Sequence, residues 1–207
     1  MIDILKTLAA LVVGYLLGSL NTAVIVGKLY GKDISGHGSK SAGLTNTLRV
    51  LGKSAAVLVL AGDVLKGLAA CLIGLRLGVY VYSGEAKDCV SLLAAGAGAV
   101  IGHNWPVYFA FKGGKGALTA TAVMFMFDWV AALISLGVFV MIVVLTRYVS
   151  LGTLCAVIFF VAISFVPVFG NTLYFQMFAC LMALMLVFKH RENIQRLLSG
   201  TENKLAL

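Results

Sequence analysis

The segment KDISGHGSKSAGLTNTLRVLGK, residues 32–53, gathers glycine, hydroxyl and cationic residues between two apolar runs. Ser39, Thr45 and Asn46 offer hydrogen-bond donors, Arg49 offers a planar guanidinium fork, and Gly36, Gly38 and Gly43 allow close backbone approach. That combination suits a phosphate group: successive backbone N–H groups form an anion-binding concavity, and Arg adds two parallel bonds. A mobile loop whose charges merely set membrane orientation is the competing reading.

Three further polar segments share this character. GHNWPVYFAFKGGKGALT, residues 102–119, places a tight cationic GGKG turn directly before a helix start at Ala117, where the helix N-terminus favours anions and Lys115 adds a full charge. It is not a Walker A loop: Phe109 occupies the first glycine position, and Gly116 follows the Lys where Ser or Thr is required. His103 and Asn104 fall at the end of the preceding helix, where a lone His more often makes a structural hydrogen bond. In GDVLKG, residues 62–67, Asp63 and Lys66 are three residues apart, share a helix face and can pair. Ionisable groups at that membrane depth face the bundle interior, either as a structural ion pair or as part of a site. The last segment, FKHRENIQRLLSGTENK, residues 188–204, carries His190 and Asn193, which orientation-setting charge does not explain.

The elements that must position these residues are apolar helices. The chain of 207 residues is 61% hydrophobic and 12% charged, half the charge of a soluble domain. Runs such as LAALVVGYLLGSLNTAVIVG are apolar all round and long enough to span a membrane. The expected fold is all-α, a single polytopic membrane bundle over residues 1–207. Helices are expected at 4–27, 54–79, 89–111, 116–127, 129–147, 151–167 and 172–189, giving seven spans, the fourth too short for a full crossing. A five-span arrangement is the alternative. The first run exceeds the apolar stretch of a cleavable signal and is expected to remain as a span.

With seven spans, twelve of the sixteen Lys and Arg residues collect on one side, three on the other, and Lys66 lies within a span. Positive charge collects in the cytoplasm, so the N-terminus is expected outside and the C-terminus inside. The net charge of +8 then needs no nucleic-acid partner. Tyr80, Tyr82, Trp105, Trp129 and Tyr148 lie near span ends, as interfacial anchors do. Cys71, Cys89, Cys155 and Cys180 lack metal spacing and are read as packing residues. His37, His103 and His190 are far apart, and no metal or cofactor is expected.

GSKSAGLTNTLR, DVLKG, GHNWPVYFAFKGGKG and HRENIQRLLSGTENK together resemble, in order, the motifs of the bacterial acyl-phosphate:glycerol-3-phosphate acyltransferase family. The match is at Gly38, Ser39, Gly43, Thr45, Asn46 and Arg49, then at Gly102, His103, Asn104, Pro106, Phe111, Lys112, Gly113, Gly114, Lys115 and Gly116, and finally at His190 and Asn193. It departs at Lys40, Ser41 and Leu44, where the family has Gly, Asn and Ala.

The resemblance implies a multi-pass enzyme of the bacterial cytoplasmic membrane. It would transfer a fatty acyl group from acyl phosphate to the sn-1 hydroxyl of glycerol 3-phosphate, giving lysophosphatidic acid and phosphate, with no obligate protein partner. Ser39, Lys115, His103, His190 and Asn193 would be catalytic. Ser39, Gly43, Thr45, Asn46, Arg49, Asn104, Lys112, Gly113, Gly114, Lys115 and Gly116 would bind substrate, and Asp63 and Lys66 would shape the pocket. His103 and His190 are the candidate proton acceptors, with a substrate phosphate oxygen as the alternative. An anion channel or transporter using the same basic pocket, and a scaffold subunit, are the rival classes.

Overall fold

A computed structural model describes residues 1–81, 84–169 and 171–205; Tyr82 lies outside them. Among the described residues the fold is all-helical, with ten α-helices and a single isolated bridge between Tyr80 and Cys89. The helices are α1 (Ile2–Gly18), α2 (Thr22–Leu29), α3 (Leu44–Leu51), α4 (Lys53–Leu77), α5 (Val90–Asn104), α6 (Ala117–Phe127), α7 (Trp129–Thr146), α8 (Val149–Ser164), α9 (Leu173–Lys189) and α10 (Arg191–Leu198). Three stretches, Ile2–Leu29, Lys53–Leu77 and Trp129–Thr146, are long and apolar enough to cross a membrane. The pair α9 and α10, bent by 60°, is a fourth candidate.

Three expectations are corrected. The helix expected at 4–27 is broken: Asn21 caps a second helix by accepting from the Val24 N–H at 3.1 Å. The helix expected to reach residue 111 ends at Asn104, where the chain turns through Trp105 and Pro106. Leu44–Leu51, read as loop, is a helix, because its apolar residues fall on one face and its polar ones on the other.

Small residues let α1 and α5 pack backbone to backbone, the device membrane helices use in place of a hydrophobic driving force. A Cβ at Gly102 would lie 2.7 Å from the Ser19 nitrogen, and one at Gly18 2.7 Å from the Ala99 backbone. One end of the bundle is fastened by Lys87. It pairs with Asp128 at 3.0 Å and donates to the Phe169 carbonyl at 2.6 Å, tying the starts of α5, α7 and α9. At the other end, Lys189 donates to the Asn104 carbonyl at 2.9 Å and the Leu205 N–H to the Arg147 carbonyl at 2.8 Å. The apolar core lies between, centred on Phe127, Phe160, Phe175 and Phe178.

α6 has only 11 residues, about 16 Å of helix. The glycine turn before it therefore sits well inside the bundle.

Candidate active site

The two glycine-rich segments meet because Gly114 leaves no room for a side chain. The Gly114 N–H donates to the His103 carbonyl at 3.1 Å, and a Cβ at Gly114 would run into His103 Nε2 and the Ala42 carbonyl oxygen. Gly116, at φ +75°, turns the chain into α6. In the first segment Asn46 acts as a clamp. Its Oδ1 accepts from the Ser39 N–H at 2.8 Å, and its Nδ2 donates to the carbonyls of Ile34 and His37, both at 3.0 Å.

This contact brings the N-termini of α3 and α6 to one cleft. Both start at a glycine, Gly43 and Gly116, with no side-chain cap, so their first N–H groups remain free for an anion. The cleft has a volume of about 230 Å³. Its polar end is lined by Ser39, Ser41, Gly43, Thr45, Asn46, Arg49, Asp63, His103, Lys115, Gly116, His190 and Asn193. Its other end is an apolar groove between α6, α7 and α8, running past Leu118, Met124, Leu136 and Phe139.

Of the expected residues, Lys66, Asn104, Lys112, Gly113 and Gly114 are not among the lining groups. Lys112 is exposed. Gly113 and Gly114 abut His103 instead. Asn104 is fully buried, its carboxamide without a hydrogen-bond partner and its Oδ1 directed at Gly116.

Lys115 Nζ donates to Asn193 Oδ1 at 2.5 Å, and Asn193 Nδ2 donates to Glu202 Oε1 at 2.7 Å. Burial pushes the Lys115 ammonium down to about 8, helped by the Arg196 guanidinium nearby. Burial likewise lowers His190 to about 4, assisted by the Lys115 charge, so its ring is neutral near pH 7. Its Nδ1 donates to the Leu186 carbonyl at 2.8 Å, which leaves Nε2 as an acceptor.

Below the polar end, Lys66 Nζ sits 2.8 Å from Asp63 Oδ1, 2.8 Å from His103 Nδ1 and 3.1 Å from the Leu20 carbonyl. Lys can only donate, so His103 Nδ1 is the acceptor and the proton of the neutral ring lies on Nε2, beside Gly114.

Glu202 and Asn203 also line the cleft and were missed in the sequence. The tail folds back: Glu202 accepts from Asn193, Arg196 and Ser150, and the Asn203 carbonyl accepts from Arg49 at 3.3 Å. Burial alone would raise the Glu202 carboxyl, but the bonds from Arg196, Asn193 and Ser150 hold it below its ordinary value. Only the acidic residue of the SGTENK tail beside Asn193 hinted at this, and an acidic residue so placed reads as solvated.

A cleft joining two uncapped helix N-termini to an apolar groove calls for an anionic head on a greasy chain, and the comparisons agree. The Glycerol-3-phosphate acyltransferase family model matches residues 8–200. The chain belongs to that family, and it is an acyltransferase.

A relative named glycerol-3-phosphate acyltransferase from Thermoanaerobacter pseudethanolicus is 42% identical over 195 residues, covering 94% of this chain and 93% of the relative. One from Halalkalibacterium halodurans is 43% identical over 203 residues, covering 94% of each chain. The glycerol 3-phosphate form of PlsY (YgiH), an integral membrane glycerol 3-phosphate acyltransferase, superposes with a TM-score of 0.88 at 36% identity, covering 97% of this chain and 96% of that one. Its lysophosphatidic acid form gives 0.85 at the same identity, with 97% and 95% covered. The family, the apolar helices and these neighbours mark an integral membrane protein, and the transporter and scaffold readings fall away.

Proposed function

We propose that this acyltransferase moves a fatty acyl group from acyl phosphate to the sn-1 hydroxyl of glycerol 3-phosphate, giving lysophosphatidic acid and inorganic phosphate. The observation that carries this is the single cleft, cationic and amide-lined at one end and apolar at the other. A glycerol 3-phosphate head fits the first part, and an acyl chain fits the second. The glycerol 3-phosphate and lysophosphatidic acid forms of PlsY, the neighbour with the same fold, support both halves.

Seven crossings, N-terminus outside, suit the two ends of the bundle. Lys87, Asp128, Phe169 and Thr172 cluster at one end, while Arg49, Lys115, Arg147, Lys189 and the tail cluster at the other. The second end holds the basic residues and is the cytoplasmic face of a bacterial cytoplasmic membrane under the positive-inside rule.

Acyl phosphate is a mixed anhydride with a good leaving group. The protein's task is to set two anions side by side and hold the hydroxyl near the carbonyl. Lys115, Arg49 and the first N–H groups of α3 and α6 receive the phosphates, with the Ser39 hydroxyl beside them. Asn193, fixed between Lys115 and Glu202, places the Lys115 ammonium. The sn-1 oxygen attacks the carbonyl carbon, the bond from that carbon to the phosphate oxygen breaks, and the hydroxyl proton passes to a substrate phosphate oxygen.

A protein base is not favoured. His103 Nδ1 already accepts from Lys66, and His190, held at about 4, is a weak base near neutrality. His190 Nε2 instead accepts a hydrogen bond from the sn-2 hydroxyl, which orients the glycerol backbone, while Asn46 secures the first glycine loop. In detergent, the purified protein should release phosphate from acyl phosphate only when glycerol 3-phosphate is added, and a chelator should leave the rate unchanged. His103→Gln and His190→Gln should each retain substantial turnover. A loss of about 10² to 10⁴ in kcat from either, with glycerol 3-phosphate binding intact, is the size expected of a general base and would overturn substrate assistance.

A further inference from the structure

The apolar end of the cleft is as defined as the polar end. Of its wall residues, Leu118, Thr121 and Leu136 are half-buried, whereas Met124, Ala132, Ser135 and Val157 are buried. The groove is therefore open to its surroundings beside the first three and enclosed at the other four.

Met124, Ala132 and Val157 belong to the same packed cluster as Phe127 and Phe160. The Phe127 ring lies 4.9 Å from that of Phe178, and the Phe160 ring 5.9 Å from that of Phe175. Rings held by neighbours at crystal-like density do not step aside for a ligand, so the cluster is a floor. The distance along α6 from Gly116 to Met124 is eight residues, about 12 Å. That is a little less than half of the ~30 Å hydrocarbon core, and so close to the reach of an ordinary membrane-lipid chain.

We infer that the end of the acyl chain stops against Met124, Ala132, Ser135 and Val157, and that these residues set the longest donor the enzyme accepts. The inference rests on the proposed acyl phosphate donor. It concerns specificity, not chemistry: the four belong to the apolar end of the cleft and not to its glycine turns. Ser135 is a useful probe because its buried hydroxyl has no hydrogen-bond partner, so replacing it with an apolar group removes an unsatisfied atom.

The test is phosphate release in detergent, with glycerol 3-phosphate present, from acyl phosphates of graded chain length. Ser135→Leu and Ala132→Leu should move the optimum to donors shorter by about two methylenes. The long-to-short ratio of kcat/KM should then fall about fifteenfold, at about fourfold for each methylene refused burial. Met124→Ala should move the optimum the other way. Leu133→Ala, on the outward face of α7 at 53% exposed, should leave the profile where it is. An unchanged profile in both filling variants and in Met124→Ala overturns the inference while leaving the donor assignment standing, as does a shift from Leu133→Ala equal to that from Ser135→Leu. If the wild-type protein uses acyl phosphate of no length, the donor assignment itself falls, and the inference with it.

Discussion

Raising the pH past 8 should strip the proton from Lys115 before it affects any other cation at the polar end of the cleft. Burial holds this ammonium at about 8, against an ordinary 10.5. Glycerol 3-phosphate is already a dianion there, since a phosphate monoester loses its second proton near pH ~6. Each pH unit above 8 then lowers the charged fraction about tenfold, and KM for glycerol 3-phosphate should climb with it.

The climb has a ceiling. Losing a charge-assisted hydrogen bond to the phosphate costs about 1.5–3 kcal/mol, so KM should level off roughly 10- to 150-fold above its neutral value. Folding pulls the other way. A base whose folded pKa is depressed binds fewer protons in the native state than in the unfolded chain between pH 8 and 10.5. Lys115's contribution to stability therefore rises across that window, and alkaline unfolding through this residue cannot mimic the effect. The assay is initial-rate phosphate release against glycerol 3-phosphate concentration at stepped pH, with a parallel thermal melt. Lys115→Arg, whose charge does not titrate, should have a higher baseline KM and no alkaline rise. A wild-type KM that stays flat to about two pH units past 8, or a rise that persists unchanged in Lys115→Arg, would refute the assignment of this ammonium to the phosphate.

Three further outcomes follow from the geometry. His190 sits at about 4 when folded and near 6.5 when unfolded, so its contribution to stability should be lost as pH falls from 6.5 towards 4, and His190→Gln should flatten that part of a melting-temperature profile. Asp63→Asn strands the buried Lys66 ammonium and should destabilise by about 3–5 kcal/mol, with Asp63→Leu/Lys66→Met milder than the single change, as read by denaturation in detergent. Gly102→Val forces a side chain against the Ser19 nitrogen and the Gly18 backbone; it should separate α1 from α5 and lower the melting temperature, whereas Gly137→Ala, with open space around it, should not.

The long helices were legible because they are apolar all round, and a bilayer leaves no other way to satisfy their backbone. The expected 129–147 and 172–189 fall within a residue or so of Trp129–Thr146 and Leu173–Lys189. What escaped was polar. Leu44–Leu51 hid inside a stretch whose glycines and hydroxyls read as loop, although Thr45, Asn46 and Arg49 had been singled out for their chemistry. The break at Ser19–Asn21 was legible as Gly18 followed by an Asn cap, but the surrounding hydropathy masked it. Glu202 and Asn203 could not be placed from the sequence, because their position depends on a tail that doubles back across the cleft onto Arg49 and Ser150. That the polar segments would share one pocket was legible from the charge bias; how they meet depends on Gly114 fitting against His103 and Ala42.

The brevity of α6 reaches beyond the fold. Its 11 residues cover about 16 Å, against about 37 Å for the 25 residues of α4, so the glycine turn at its head is recessed below the end that the longer helices reach. Under the proposed reaction a sugar-phosphate substrate would descend from that end to the turn, whereas an acyl chain would lie in the groove between α6, α7 and α8. On that reading the molecule would work as a local dimple in the oil, lowering an aqueous reactant to meet a lipid.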